Sequence, residues 1–347
     1  MRFKLDPADY DSCPQFNQWL DESYEDEYGP LEIFSYEPRA CEVLFQMSPT
    51  TYAASFSDFQ TKYEENLKRT VTEDFPSPIA HYYYRFENGY ESQLQRLYFL
   101  RDTWEATIDI LHALAVGEIR FRSISLADPV EFSHLLSDRV ADRLLNIERI
   151  VMAASAVGVN LSVGKVAPPP VLEKMRELNK TRNGFSHSAA QSEAQASMWV
   201  AECSEDMIGI LDDIRDLENC AFLRYLGQTD GFTLRCETFK GHSFTRTIQS
   251  IPLTPEQVRK SQRYFQQGQV LAFFDASLYS VRPLIYFHED PTGNMTKPCA
   301  FRKTHGEVPN RKIEFAIVGD AVSMEENRSI FQTEMDELRA LFGLGAD

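Results

Sequence analysis

The stretch Arg182-Asn183-Gly184-Phe185-Ser186-His187 sets a permanent cation, a bidentate amide and a titratable imidazole within six residues. A guanidinium can clamp phosphate oxygens through a planar fork of donors, and a neutral imidazole can take up a proton near pH 7. These are two of the groups needed to cut a phosphodiester without a metal: a cation for the charge that builds on the phosphate and a base for the attacking hydroxyl. The chemistry requires all three side chains on one small surface, so the flanking elements decide whether it is available.

Those elements read as helices. From Tyr90 to Val116, Leu94, Leu97, Tyr98, Trp104, Ile108, Leu111 and Ala115 share one stripe, which predicts a long core helix ended or loosened by Gly117. Asp128-Pro129 should open a second helix with Phe132, Leu135, Leu136, Val140, Leu144, Ile147 and Val151 inside, and Gly158 to Gly164 should break it. Pro168-Pro169-Pro170 leads into a third helix, Val171–Thr181. Asn183-Gly184 is a helix-stop signal, and Ser188-Ala189-Ala190-Gln191 reads as the capping box of a fourth helix running to about Leu217. Residues 81–221 therefore predict an antiparallel, up-and-down four-helix bundle with the Arg–His stretch between its last two helices.

The flanks differ in character. Residues 1–80 predict an acidic, partly helical region, with a helix over Ser57 to Lys68 broken by Phe75-Pro76-Ser77-Pro78. The run Asp21-Glu22-Ser23-Tyr24-Glu25-Asp26-Glu27-Tyr28 has two readings: a solvated or partly disordered surface segment, or an arm that mimics nucleic acid or binds a basic partner. After Cys220 the period becomes two. Strands are expected over Phe222–Leu226, Phe232–Phe239, Phe244–Ile251, Val270–Phe274, Leu284–Phe287 and Ile313–Val318, with helices over Pro255–Gln267 and Ser323–Leu341. Residues 222–347 thus predict a separate α+β domain, and the whole chain is expected to be mainly α with a small C-terminal antiparallel sheet and two helices. In that domain Arg302, Lys303, Arg311 and Lys312 form either a basic edge able to hold RNA or a strand edge guarded by charge. The run His81-Tyr82-Tyr83-Tyr84-Arg85 offers stacking surfaces for a nucleobase or packing for the first long helix.

Composition limits the classes. With 347 residues, 43% hydrophobic and 25% charged, the chain is long enough for two domains with proper cores. The net charge of −17 is concentrated at the front: residues 1–80 hold 6 Lys/Arg against 16 Asp/Glu, while residues 222–347 hold 15 of each. That balance weakens non-specific phosphate binding yet leaves room for a local cationic site. The N-terminus carries no signal-peptide core and the sequence no run of eighteen apolar residues, so a cytoplasmic protein without membrane contact is expected. The six cysteines are scattered without a C-x-x-C pair, which fits reduced thiols. Cys236, His242, Cys299 and His305 lack zinc-ligand spacing, and the sequence has no Walker loop, G-x-S-x-G or H-E-x-x-H, so no metal or cofactor is expected.

As a bare pattern, Arg followed by His after four to six intervening residues occurs three times: Arg182/His187, Arg235/His242 and Arg282/His288. Only the first falls at a break between predicted helices with Asn directly after the Arg. There, Arg182-Asn183-x-x-x-His187 resembles the signature of HEPN domains, over about residues 85–220. The resemblance implies a helical bundle acting as a metal-independent endoribonuclease, in a toxin–antitoxin or antiphage defence setting. It implies that His187 serves as base or acid, Arg182 as clamp and Asn183 as orienting amide. A polar residue from an earlier helix is also implied, for which Glu105, Asp109 and Asp142 are the candidates. A homodimer with a composite site and a regulatory or antitoxin partner follow from the same resemblance. The alternative is a non-catalytic helical dimerisation protein that binds nucleic acid or a ligand, and an Arg and a His joining two helices also have purely structural uses.

Overall fold

The computed structural model describes residues 10, 14–29, 39–126, 132–186, 192–307 and 310–344. The helix opening expected at Asp128-Pro129, the imidazole of His187 and the capping box expected at Ser188–Gln191 lie outside them. The chain divides into two compact units, Met1–Arg69 and Thr70–Asp347. It is mainly helical, with antiparallel sheets and further helices toward the C-terminus. No helix among the described residues is long and apolar enough to cross a membrane.

The first unit is built on aromatic packing. It holds α1 (Pro14–Tyr28), α2 (Ala40–Met47) and most of α3 (Pro49–Asp74). Phe16, Leu20, Cys41, Tyr52, Phe56 and Phe59 form its core. Phe16 meets the ring edges of Tyr52 and Phe56 at centroid distances of 4.8 and 5.1 Å, a favoured geometry for aromatic quadrupoles. The acidic run Asp21–Tyr28 is the second half of α1, helical rather than disordered. Its Asp21 carboxylate accepts from the Cys41 amide at 2.8 Å and from Arg39 at 2.7 Å, so one acid of the run satisfies a bare N–H at the start of α2. Glu22, Glu25, Asp26 and Glu27 stay exposed.

The second unit continues with α4 (Ser77–Asn88), α5 (Gln93–Arg122), α6 (Phe132–Leu135), α7 (Val140–Ala156), α8 (Ser162–Val166), α9 (Pro169–Ser186) and α10 (Glu193–Asp213). The break at Phe75–Pro78 falls where the prolines predict it. Helix α5 packs against α4, α7 and α10, and α9 packs against α7 and α10. The second predicted helix is two pieces, α6 and α7, and α9 runs through Asn183-Gly184 to Ser186, so Arg182 and Asn183 sit in a helical last turn rather than a loop. A Cβ on Gly184 would lie 3.8 Å from Trp199 of α10, an ordinary van der Waals contact. The capping box of α10 is Ser192 with Gln195, four residues later than the sequence pattern suggests.

The sheet region follows without leaving this unit, so residue 221 marks a change of period and not a boundary between compact units. It contains two antiparallel sheets instead of one small one. The first comprises β1 (Ala221–Gln228), β2 (Thr233–Phe239), β3 (Ile248–Pro252), β4 (Val270–Phe274) and β5 (Ser277–Ser280), in the order β3-β2-β1-β4-β5. Helix α11 (Pro255–Ser261) lies between β3 and β4 in sequence. The second comprises β6 (Ile285–Glu289), β7 (Thr296–His305), β8 (Lys312–Ile317) and β9 (Ser323–Asn327) in sequential order, followed by α12 (Gln332–Ala340). Strands β5, β7 and β9 escape a periodicity reading: β5 is four residues long, β7 carries a bulge, and β9 opens what reads as one long amphipathic helix.

Helix α5 is the axis of this unit. Every residue from Ala106 to Arg120 is buried, so it is enclosed all round rather than along one stripe. Gly117 is interior to it, because a Cβ there would lie 2.9 Å from both the Ser280 carbonyl oxygen and the Tyr279 ring. The glycine admits β5 against the helix, and Arg120 then fastens it by donating to the carbonyls of Ser280 and Arg282 at 2.7 and 2.6 Å. Gly117→Val is therefore expected to lower unfolding stability by about 2–3 kcal/mol, read as a shifted midpoint in urea titration, despite the better helix propensity of valine.

Candidate functional site

Arg182 is placed by the last turn of α9 and held from two sides. Its Nη1 donates to Asn183 Oδ1 at 3.0 Å, and its Nη2 forms an ion pair with Glu105 of α5. Its Nε is buried and has no hydrogen-bond partner among the described residues. A guanidinium has five N–H donors, so this arrangement fixes its plane with two of them and leaves one more on each Nη beside the buried Nε. Asn183, the residue that sets this Arg–His pair apart in the sequence, thus orients the Arg directly.

Of the three carboxylates considered for an auxiliary role, the structure brings only Glu105 to Arg182. Glu105 also lies 3.8 Å from Arg101 Nε, and Arg101 in turn bonds Asp102 at 2.7 Å. Asp109, one turn along α5, is buried and paired with Arg143 of α7. Arg143 further donates to the Phe301 carbonyl of β7 at 2.7 Å and to the Ser137 carbonyl at 3.0 Å, so Asp109 helps join two helices and a strand. Asp142 accepts from Ser137 Oγ at 2.6 Å in the approach to α7.

Glu105 opens onto a cavity of about 210 Å³ between α4, α5 and the second sheet. Its polar lining is Tyr82, Arg101, Asp102, Glu105, Asp109, Arg302 and Asp320, and its apolar lining includes Ile110, Ile285, Ala300 and Ile317. Burial raises the Asp102 carboxyl above its ordinary value, while the charges of Arg101 and Arg302 pull the other way. Burial likewise pushes the Tyr82 phenol up to about 12, so it keeps its proton. The Tyr82 oxygen accepts from the Gly319 amide at 3.0 Å, and a side chain on Gly319, at φ +82°, would strike His81 Nε2 at 2.7 Å. Arg302 is the extra residue of a β-bulge, skipped between the pairs Phe301–Phe315 and Lys303–Glu314.

The remaining sequence candidates go elsewhere. Strands β7 and β8 are interior to their sheet, so the basic cluster is not a strand edge. Lys303 pairs with Glu314 at 3.2 Å and Lys312 with Glu325 at 2.7 Å, and Arg311 is exposed just before β8. The aromatic run of α4 is used in packing against the sheet region: His81 stacks on Phe244 at 4.5 Å and Tyr84 on His242 at 4.2 Å. That stacking employs the His of the second Arg–His match. In the third, Arg282 is buried against Glu334 at 3.4 Å and donates to the Ile330 carbonyl at 2.9 Å. Arg101 and Asp102 stand four and three residues before Glu105, a helical spacing that puts them beside it, whereas nothing local announces Tyr82 or Asp320 as neighbours of the same space.

Compared with known proteins, the chain matches no family model, no curated protein and no solved structure.

Two predictions follow from the charge geometry. Asp109→Ala strands the Arg143 cation in the core and should cost about 3–5 kcal/mol, whereas Glu105→Ala, at a partly exposed pair, should cost about 1–2 kcal/mol in the same urea titration. His112 is wholly buried beside Arg143; burial first, and that charge second, push its pKa from 6.5 down to about 3. Below about pH 6.5 the unfolded chain binds a proton that the folded chain refuses, so this stability is lost as pH falls toward about 3. The loss by pH 4.5 is roughly 2–3 kcal/mol. His112→Leu should flatten that part of the stability–pH curve, and an unchanged slope would show that His112 is not its source.

Proposed function

We propose that the chain is a metal-independent endoribonuclease with Arg182, Asn183 and His187 at its centre. The observation that carries the reading is the fixing of Arg182 by Glu105 and Asn183 at the end of α9, five residues before His187, with donors left over for a phosphate. The contacts among α5, α7, α9 and α10 close into a ring, as a HEPN-like four-helix bundle requires.

The chemistry follows from these groups. RNA carries its nucleophile in the 2′-hydroxyl. His187 takes that proton as the 2′-oxygen attacks phosphorus, and the bond to the 5′-oxygen breaks. The leaving 5′-oxygen gains a proton, so the products are a 2′,3′-cyclic phosphate and a 5′-hydroxyl. Arg182 stabilises the charge growing on the non-bridging oxygens, and Asn183 and Glu105 keep its fork in plane. A second subunit would supply the other imidazole, one as base and one as acid. A role as a toxic defence effector rests on the HEPN resemblance.

One observation favours a competing reading, a non-catalytic helical dimerisation protein: Glu105 already neutralises Arg182, as a purely structural ion pair would. Incubation of purified protein with total RNA in EDTA separates the two. The wild type should leave 2′,3′-cyclic phosphate ends, and Arg182→Ala and His187→Ala should each slow cleavage by about 10²–10⁴-fold. Glu105→Gln should slow it less, since the clamp loses its support and not its charge. Cleavage that requires a divalent metal would overturn the mechanism, and intact RNA with every variant and the wild type would favour the competing reading.

A further inference from the structure

The cavity beside Glu105 shares that residue with the Arg182 network. Its size is below the ~300–1,000 Å³ of pockets for drug-sized ligands, which leaves room for a single ring system. The sheet side supplies apolar Ile285, Ala300, Ala316 and Ile317 together with charged Arg302 and Asp320, and the side of α4 and α5 supplies Tyr82, Arg101, Asp102, Glu105 and Asp109.

The charges on its rim are unequal in their commitments. Asp109 is held by Arg143, Glu105 by Arg182, Asp102 by Arg101, and Asp320 by Lys297 at 2.6 Å. Arg302 is close enough to act electrostatically on Asp102 and Tyr82, yet it forms no hydrogen bond or ion pair among the described residues. Arg302, the extra residue of the bulge, stands two residues after Ala300, and both line the cavity. A free phosphate is a poor fit for a space lined by four carboxylates. An uncharged ring with acceptors on one edge and donors on the next suits it better. Guanine has that pattern: O6 and N7 accept from an Arg fork, while N1–H and the N2 amino group donate to carboxylates. Adenine puts a donor beside N7; cytosine pairs N3 with O2 but offers only its N4 amino group as the neighbouring donor, and uracil sets N3–H between its two carbonyls.

We propose that this cavity takes a guanine base, with Arg302 on its O6/N7 edge, Asp102 or Asp320 on its N1/N2 edge, and the apolar sheet wall against its face. Placing that base in an RNA rests on the ribonuclease reading: a nucleotide whose phosphate lies on Arg182 has its base within reach of the space behind Glu105. The enzyme then cuts beside guanine, and Arg302 is its specificity-determining residue.

Binding and cleavage are measured separately. Isothermal titration of the full chain with each of 5′-GMP, 5′-AMP, 5′-CMP and 5′-UMP should show GMP preferred. Arg302→Ala and Arg302→Lys should each weaken GMP by about 10- to 100-fold, because Lys keeps the charge but loses the bidentate fork. Thermal melting near the wild-type value shows that the variants are folded, and Asp102→Asn offers a second route to lost selectivity should they not be. In the cleavage arm, RNA ends from the wild type should cluster at guanine, and Arg302→Lys should cut with the preference flattened. Equal binding of the four nucleotides would overturn the proposal whether or not RNA is cut, as would cleavage indifferent to guanine. Selective, Arg302-dependent GMP binding without any cleavage would support guanine recognition, from a free nucleotide, while sinking the ribonuclease reading.

Discussion

The enclosure of α5 is the constraint on which the second unit depends. A helix buried on every side from Ala106 to Arg120 cannot send its charges to water, yet it carries Asp109, Glu118 and Arg120 in that span. Each must therefore find a partner on a neighbouring element, because an unpaired buried charge costs several kcal/mol. Asp109 takes Arg143 from α7; Glu118 accepts from the Ser162 amide at the start of α8, at 2.8 Å; Arg120 takes the last carbonyl of β5, the Arg282 carbonyl beyond it, and Glu337 of α12 at 3.1 Å. These pairs fix which elements surround the helix. The helices and the two sheets thereby become one compact unit.

The candidate site belongs to the same scheme at its looser end. Moving toward the N-terminus of α5, burial decreases, and the acids change from structural ties to partners that are partly open. Asp109 is committed to the core, Glu105 divides its attention between Arg182 and Arg101, and Asp102 lines a cavity. A gradient of this sort suits a functional surface, since groups that must meet a ligand need rigid neighbours on one side and space on the other.

Much of the helical layout is legible in the sequence because it rests on local signals. Prolines at 76, 78 and 169–170 and the short apolar run Val270–Phe274 act within a few residues, and those elements lie where expected. What is not legible depends on partners far along the chain. Gly117 reads as a helix breaker until β5, more than 150 residues later, is seen lying against it. Asn183-Gly184 reads as a stop, but the helix continues through it for one more turn segment to Ser186. Three carboxylates look equivalent from α-helical spacing; tertiary pairing separates them, giving Asp109 to Arg143, Asp142 to Ser137 and Glu105 to Arg182. The Arg182-Asn183 pairing itself is visible as adjacency, whereas the cavity, assembled from α4, α5 and strands β6 to β8 about 200 residues further on, leaves no mark in any one of them.

The enclosed stretch of α5 also bears on how this chain can change over evolutionary time. Adding or removing one residue between Glu105 and Arg120 would rotate one end against the other by about 100°. The clamp on β5 and the support for Arg182 could then not both be met. Length variation should accumulate instead in hairpin tips such as 229–232 and 290–294, where the chain turns in solvent. Side chains along α5 can be exchanged for others of like volume, but its length is fixed as a phase between the two ends.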